Sequence, residues 1–298
     1  MLPKLSCAIS GISRAGSVFD ALKTVKDAGF DGVDFPLSTY SRTANEALAQ
    51  DDWWQAWVTA VKTYLAELSL PVLQAHAPWE QSIPKDFSYM PPYPVYFRAM
   101  EACAMLGAEK LVFHPLLYPY RIESEALYRP IHDYNVRWFR EILPVAARLG
   151  LRVEIENMFD YYHVQQPGDP AYVYTAPSQL MTLADALDSP RVGLCLDTGH
   201  ANIAGQNVPA MIRAYGARLD CLHLNDNYGR SNGLYEDLHL LPGEGTLPWA
   251  EIIRALREIG YAGVYNIEPI ADLARLDKQA RTAKLAKGCA DLRHSLTI

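Results

Sequence analysis

The stretch VGLCLDTGH at residues 192–200 contains the pattern that decides the fold of this 298-residue chain. Its apolar part, Val192–Leu196, predicts a short buried strand. An acid and a histidine, Asp197 and His200, follow the strand directly. The same order, a β-rich run and then polar side chains, recurs along the chain, which indicates a repeated architectural unit.

Eight such runs alternate with segments of helical spacing. The runs are Lys4–Ile9, Gly32–Phe35, Pro71–Ala75, Lys110–Phe113, Arg152–Ile155, Val192–Leu196, Leu219–Leu224 and Gly263–Ile267. Between and after them, apolar residues recur every three or four positions, which places them on one helix face. Those segments cover about 18–28, 54–68, 95–106, 131–149, 178–187, 208–215, 249–259 and 273–292. Strand then helix, eight times over, predicts an α/β fold: a (β/α)8 TIM barrel with residues 1–298 in a single domain.

A Rossmann-type sheet is the competing architecture, because it also alternates strands and helices. Its fingerprint, GxGxxG after a strand, follows none of the eight runs. The sequence therefore favours the barrel over the open sheet.

Composition narrows the class of protein. The net charge is −7 and the lysines and arginines form no cluster, which weighs against nucleic acid as a partner. No apolar stretch reaches the roughly 18–20 residues of a membrane helix, and the first ten residues lack the order of a signal peptide. We therefore expect a cytoplasmic protein with no membrane partner. The five cysteines form no CxxC pair, so we expect buried free thiols. Whether the protein forms a homo-oligomer stays an open question.

Histidines and acids gather at or beyond the ends of the runs. Because TIM-barrel active sites form at the carboxyl ends of the strands, we expect these side chains to converge at one mouth. Imidazole and carboxylate together suit a divalent metal, zinc or manganese first, with magnesium and cobalt as alternatives. We expect one to three ions. The nine candidate ligands are His76, His114, Glu156, Asp197, His200, His223, Asp237, His239 and Glu268.

Two of the ligand pairs have informative spacing. Asp197 and His200 are three residues apart just past a strand, where a turning chain brings both side chains to one side. Asp237 and His239 are two apart, which puts both on one face of an extended segment. Each pair alone would be weak evidence for a metal, but together with the strand-end residues they indicate a shared site.

Glu154 competes with Glu156 for a place in this site. The two acids are two residues apart and would share a face of a regular strand. Asn157, directly after Glu156, indicates that the loop begins there and favours Glu156 as the residue at the mouth.

Two loops are long and rich in aromatic residues and proline. Residues 79–96 and 158–176 are candidates for lids or binding loops, although packing or a subunit contact would explain them equally well. Aromatic faces are suited to stacking on sugar rings. Candidate substrate-binding residues on this ground are Trp79, Tyr161, Tyr162 and Trp249.

Three segments of the chain resemble a known group of proteins. LCLDTGHAN at 194–202, LHLNDN at 222–227 and EDLHLLPGEGTLPW at 236–249 are similar to the xylose isomerase-like TIM-barrel superfamily. That superfamily contains sugar isomerases and epimerases together with trinuclear-zinc apurinic/apyrimidinic endonucleases. The resemblance covers nearly the whole chain. In the ketose epimerases and related isomerases, one metal is held by a Glu, an Asp, a His and a Glu; the matching residues here are Glu156, Asp197, His223 and Glu268.

The resemblance implies a metal-dependent isomerase or epimerase of carbohydrate metabolism, acting on a sugar, polyol or keto-sugar. In such a reaction a proton would be removed from the carbon next to a carbonyl, and the enediolate that results would be stabilised by the metal. Glu156 and Glu268 would be the catalytic acid/base pair, and which of them is the acid stays open. The identity of the substrate and its phosphorylation state also stay open.

The endonuclease branch implies an alternative, a trinuclear-zinc phosphodiesterase of the apurinic/apyrimidinic endonuclease type. Its further ligands match five positions that are all present, and these would bind additional metals or substrate hydroxyls: His76, His114, His200, Asp237 and His239. The acidic charge and the loops rich in Tyr, Trp and Pro favour a small carbohydrate over DNA.

Overall fold

Eight parallel strands form one sheet in the computed structural model, which describes residues 3–13, 16–41, 46–163, 170, 172–230, 233–270 and 273–297. The strands are β1 (Leu5–Ala8), β2 (Gly32–Pro36), β3 (Val72–His76), β4 (Lys110–Phe113), β5 (Arg152–Glu156), β6 (Val192–Asp197), β7 (Leu219–His223) and β8 (Tyr265–Ile267). They pair in the order β7-β6-β5-β4-β3-β2-β1-β8. Leu224 N donates to Asn266 O, and Glu268 N donates to Leu224 O. These two bonds join β7 to β8 and close the barrel.

Helices between the strands surround the barrel. They are α1 (Ser10–Ser13), α2 (Val18–Asp27), α3 (Trp54–Glu67), α4 (Pro94–Leu106), α5 (Tyr128–Leu149), α6 (Pro177–Leu187), α7 (Thr198–Ile203), α8 (Val208–Tyr215), α9 (Trp249–Glu258) and α10 (Lys278–Ser295). Short 3-10 turns lie at Leu37–Tyr40, Ala47–Ala49, Glu125–Leu127, Gly216–Arg218, Gly233–Glu236 and Leu273–Arg275. The predicted (β/α)8 TIM barrel is confirmed.

The helices depart from the sequence prediction in several places, and α5 begins at Tyr128 rather than near 131. The short helices α1 and α7 were not predicted. The last helix begins at Lys278 rather than near 273, because the Asp277 side chain accepts a hydrogen bond from Ala280 N and caps it. Elsewhere the apolar spacing gave the correct face: α3 buries Trp54, Val58 and Leu65 against the barrel.

Polar side chains occupy part of the barrel interior. Ser6, Asp34, Gln74, Glu154 and Asn266 point inward and are at most 1% exposed. Asp34 lies beside Gln74 in the register of β2 and β3, and Ser6 lies beside Asn266 in that of β1 and β8. The interior below the mouth is therefore a hydrogen-bonded layer rather than a purely apolar one.

Three further observations concern the cysteines, the length of the helices and the second long loop. All five cysteines are free and buried, as expected. Among the described residues, no helix is both long and apolar enough to cross a membrane. Part of the second long loop, residues 164–169 and 171, lies outside the described residues.

Candidate metal centre

Four strand ends deliver the first group of candidate ligands. Glu156, Asp197 and His223 are the last residues of β5, β6 and β7, and Glu268 follows β8. One donor atom from each of the four lies within 4.8 Å of the others. The convergence at one mouth that the sequence predicted is therefore present in the fold.

A second group shares Glu156 with the first. His76 ends β3 and His114 follows β4. Their Nε2 atoms lie 3.2 Å and 3.1 Å from Glu156 Oε2 and 3.2 Å from each other. The other carboxylate oxygen, Oε1, lies 2.9 Å from His223 Nδ1. Glu156 therefore stands between two sets of imidazoles, with one carboxylate oxygen facing each set.

A third group lies beside these two. His239 Nε2 is 3.0 Å from Asp237 Oδ2, and His200 Nε2 is 3.9 Å from Asp237 Oδ1. His239 adopts a φ of +47°, a left-handed conformation that is uncommon for a residue with a Cβ. All nine side chains that the sequence singled out as ligands thus line one region of the barrel mouth.

The segment DTGH folds so that its acid and its histidine are both held in place. Asp197 caps α7: its Oδ1 accepts from His200 N at 2.7 Å, and its Oδ2 accepts from Asn225 Nδ2 at 2.7 Å. Asn157 exchanges two hydrogen bonds with the Asp197 backbone. A Cβ at Gly199 would lie 1.8 Å from Asn225 Oδ1, so only glycine fits between the acid and the histidine.

The segment after Asp237 and His239, two residues of the third group, is held in place by Asp226. This buried carboxylate accepts hydrogen bonds from Gly243 N at 3.1 Å, Leu247 N at 3.2 Å and the Trp249 indole at 2.7 Å. Because its indole is turned to Asp226, Trp249 does not line the cavity at the mouth. Its role as a candidate sugar contact stays a prediction, and in this structure its indole packs against Asp226 instead.

The imidazoles are oriented as metal ligands usually are. His76, His200 and His239 each place Nδ1 within 3.1 Å of a backbone carbonyl oxygen, respectively that of residues 77, 157 and 268. A carbonyl only accepts, so Nδ1 carries the proton and a neutral ring leaves the Nε2 lone pair free. Those lone pairs face carboxylate oxygens, which is repulsive unless a proton or a cation lies between them. The residues present therefore fit a divalent metal.

The ionisation of the carboxylates reflects this crowding. Burial raises the pKa of Glu268 to about 7, against the lowering effect of His223 and His239. Burial also acts on Glu156, but the charges of His223 and His114 and the hydrogen bonds from them hold its pKa well below the usual range. Among the imidazoles, burial lowers the pKa of His114 to about 4. Burial also disfavours charge on His239, but Asp237 and Glu268 raise its pKa to about 10.

Glu154, the competing acid of β5, lies elsewhere. Its Oε1 accepts from Arg152 Nε at 3.1 Å, and Arg152 also pairs with Asp220 of β7. It belongs to none of the three groups of candidate ligands. The structure thus decides between the two acids by position: Glu156 ends the strand at the mouth, and Glu154 points into the interior below it.

A cavity of about 370 Å³ opens above the candidate ligands. Trp79, Phe159, Tyr161 and Tyr162 form an aromatic wall on one side, and Glu156 and Glu268 lie at its base. Trp79 and Tyr161 contact each other edge to face, with ring centroids 5.8 Å apart. Within the described part of the chain, no lysine or arginine lines this cavity.

Several residues that hold the site were not predicted from the sequence. Asn157 and Asn225 support Asp197, and Asp226 supports the segment that follows Asp237 and His239. Asp34 contacts His223. For Asp34 one signal was available: it is a single acid inside an otherwise apolar run, GVDFP at 32–36.

With the geometry established, comparison with known proteins identifies the group to which the chain is related. A profile of the xylose isomerase-like TIM barrel family matches residues 22–289. The chain belongs to this family. The resemblance that the sequence motifs indicated is confirmed.

Relatives and structural neighbours within this family include sugar epimerases and isomerases. The D-psicose 3-epimerase of Enterocloster bolteae is 39% identical over 136 residues, which cover 45% of this chain and 38% of the relative. The inosose isomerase of Bacillus subtilis is 25% identical over 170 residues, covering 57% and 56%. The alignments thus span about half of these relatives or less. The crystal structure of the IOLI protein with a binding zinc atom superposes with a TM-score of 0.72 at 19% identity, covering 97% of this chain and 98% of that one.

Proposed function

We propose that the protein is a divalent-metal-dependent isomerase or epimerase of a small, non-phosphorylated sugar or polyol. The observation that carries this proposal is the group Glu156, Asp197, His223 and Glu268, whose donor atoms lie within 4.8 Å of one another at the base of a cavity of about 370 Å³. Family membership supports it, because related proteins include a psicose epimerase and an inosose isomerase.

The four residues of the first group would hold the metal. When bound, a divalent cation supplies a positive charge that stabilises the oxyanion formed as a proton leaves the adjacent carbon. Zinc or manganese fits the mixture of imidazole and carboxylate, and the zinc bound by the structurally similar IOLI protein supports zinc. The protein's second and third groups give room for up to three ions.

Glu156 and Glu268 would carry out the proton transfer. Both line the cavity, so both are accessible to a substrate carbon. One carboxylate takes the proton from the carbon next to the carbonyl, and the other holds a proton to return it. Glu156 is 1% exposed, so little bulk water reaches its carboxylate.

The lining of the cavity supports a neutral substrate. Away from metal ions, a phosphate group is usually held by lysine, arginine or a cluster of backbone N–H groups. The described lining offers histidines, carboxylates and aromatic rings but no lysine or arginine. Trp79, Tyr161 and Tyr162 present ring faces on which the apolar face of a sugar can stack.

The experiment is solvent-deuterium exchange followed by NMR, with a panel of ketohexoses and inososes. We expect deuterium to appear at the carbon next to the carbonyl, and Glu156→Gln and Glu268→Gln each to lower the rate by about 10²- to 10⁴-fold. Glu154→Gln is the matched control, since it makes the same change on β5 below the mouth, and it should exchange at the wild-type rate. Normal exchange in either mouth variant would remove that residue from the catalytic pair.

A second candidate function, metal-dependent phosphodiester hydrolysis, is favoured by one observation. The third group, His200, Asp237 and His239, has its own set of donor atoms within 4.8 Å and is not needed for a single-metal epimerase. Two or three ions could together activate a water and bind a phosphate. Incubation with duplex DNA containing an abasic site discriminates the two functions: cleavage that a chelator abolishes, without deuterium exchange on any sugar, would favour the hydrolase.

A further inference from the structure

A buried carboxylate lies directly below the candidate metal centre. Asp34 of β2 is 1% exposed and accepts two hydrogen bonds at Oδ2, from Gln74 Nε2 at 2.8 Å and from Asn266 Nδ2 at 3.0 Å. His223 Nε2 lies 3.1 Å from the same oxygen. Side chains from three other strands thus converge on one oxygen atom of Asp34.

His223 differs from three other histidines of the site in what lies next to the ring nitrogen that points away from the candidate metal centre. In His76, His200 and His239 that nitrogen faces a backbone carbonyl. In His223 it lies 3.1 Å from Asp34 Oδ2, within ion-pair distance but without forming a hydrogen bond. A carboxylate is a stronger acceptor than a carbonyl because it carries a full negative charge.

The other ring nitrogen of His223, Nδ1, faces the candidate metal centre. His223 Nδ1 lies 2.9 Å from Glu156 Oε1 and 3.4 Å from Glu268 Oε2. It can serve as a ligand only if its lone pair is free, which requires the ring proton to be on Nε2. Whatever fixes the proton on Nε2 therefore controls whether His223 is ready to bind a cation.

We infer that Asp34 is a positioning residue for the metal centre: its carboxylate, 3.1 Å from His223 Nε2, favours the ring proton on that nitrogen and so leaves the Nδ1 lone pair directed at the cation. A carboxylate in this place fixes the tautomer and ring orientation and makes the ligating nitrogen more basic. Asp34 is not itself among the residues whose donor atoms gather in the three groups. The inference rests on the metal binding in the proposed function, but it does not depend on which reaction the protein catalyses.

Gln74 and Asn266 make this role specific to Asp34. Their amide donors hold the carboxylate in place, and Ser6 Oγ in turn donates to Asn266 Oδ1 at 2.7 Å. The orienting carboxylate is therefore part of a network that spans strands β1, β2, β3 and β8. Such a network leaves Asp34 little freedom to turn away from His223.

The test is the affinity of the full-length, metal-free protein for Co²⁺, measured by calorimetry and by visible absorption. Asp34→Asn keeps the size of the side chain and removes its charge, and we expect Co²⁺ to bind about 10- to 100-fold more weakly. Glu154→Gln is the matched control, because it changes a buried carboxylate of the same interior to an amide without contact with a histidine. It should bind Co²⁺ as the wild type does.

A double-variant cycle shows whether Asp34 acts through His223. In a His223→Gln background, adding Asp34→Asn should cause no further loss of Co²⁺ affinity. Wild-type affinity in Asp34→Asn, equal losses in Asp34→Asn and Glu154→Gln, or additive losses in the cycle would each overturn the inference. Because the readout is metal binding, these results stay independent of whether sugars are epimerised.

A measurement on the unaltered protein covers the case in which Asp34→Asn does not fold. Nitrogen-15 NMR of the zinc-loaded wild type, with the His223 signal assigned by its absence in His223→Gln, reports which ring nitrogen carries the proton. We expect the proton on Nε2. A proton on Nδ1, or failure of the wild type to bind zinc, would contradict the assignment.

Discussion

Buried carboxylates lie both at the mouth of the barrel and in the interior below it, here called the floor. Different kinds of side chain balance their charge at the two places. At the floor, Arg152 pairs with Glu154 and with Asp220, and Lys110 lies 3.6 Å from Asp220. At the mouth, the ion pairs found in the described part of the chain for Glu156 and Glu268 are all with histidines. Glu154 and Glu156 are two residues apart on β5, yet Glu154 belongs to the floor and Glu156 to the mouth.

The difference shows how one strand can serve stability and function at once. Arginine and lysine are permanently charged, so the floor is complete without any added ion. Histidine is a cation only when protonated, and its neutral form is a metal ligand. The mouth is therefore the end of the barrel that can exchange its protons for metal ions, and the floor is not.

Removing the metal should have the largest effect, because it acts on the mouth and leaves the floor unchanged. We expect a chelator to abolish turnover and to lower the melting temperature by about 10 °C, since a ligand at about 1,000 times its Kd contributes about 4 kcal/mol. Zinc or cobalt should restore both.

The metal-free protein should also lose stability as pH rises from 6.5 towards 10. The pKa of His239 is raised to about 10, so its ring stabilises the fold only while it is protonated.

Two variants locate the response to metal. Glu156→Gln removes the carboxylate shared by two groups at the mouth, so its melting temperature should hardly change on adding zinc. Glu154→Gln at the floor should respond as the wild type does. The same response to zinc in Glu156→Gln and in the wild type would show that the ion binds elsewhere.

The floor should be revealed by the pH dependence of stability. Burial raises the pKa of Glu154 from 4.5 to about 7, so the native state binds a proton there that the unfolded state releases. Stability from this proton is fully present below pH 4.5 and is lost as pH rises through 7. In Glu154→Gln this loss is absent. Relative to the wild type, the variant should therefore gain about 2 kcal/mol of unfolding free energy between pH 5 and pH 8, measured by urea denaturation.

Two results would contradict this view of the floor. A difference between Glu154→Gln and the wild type that stays constant from pH 5 to pH 8 would mean that Glu154 remains ionised beside Arg152. A gain that appears only in metal-loaded protein would mean that Glu154 communicates with the mouth. Chemical denaturation of the metal-free form separates these two cases.

The sequence predicted the fold and the convergence of the ligands for a simple reason. Apolar periodicity and strand-end position are local properties, and the barrel topology converts strand-end position into spatial proximity. The strand interior was harder to interpret. Gln74, Glu154 and Asn266 each lie two residues before a candidate ligand and therefore share its face, yet nothing in the sequence says which of them support a ligand and which pair with the floor.

Contacts between distant segments were beyond reach for the same reason. The pairing of Asp226 with the Trp249 indole depends on how the loop after β7 packs against the first residue of α9. Trp249 was predicted as a substrate contact from its residue type alone. The partner of His223 is likewise found 189 positions earlier in the chain, at Asp34. Neither pairing leaves a spacing in the sequence that could be recognised.

The smallest expected effect concerns the aromatic wall of the cavity at the mouth. Trp79 lies with its ring centroid 6.0 Å from that of His114 and faces the cavity. Stacking on a sugar is worth about 1 kcal/mol, so Trp79→Leu should raise KM about fivefold while kcat changes less than twofold. Trp53→Leu, at an exposed tryptophan outside the cavity lining, is the control and should change neither. A fall in kcat with unchanged KM would instead assign Trp79 to positioning His114, and thus to the metal centre rather than to the sugar.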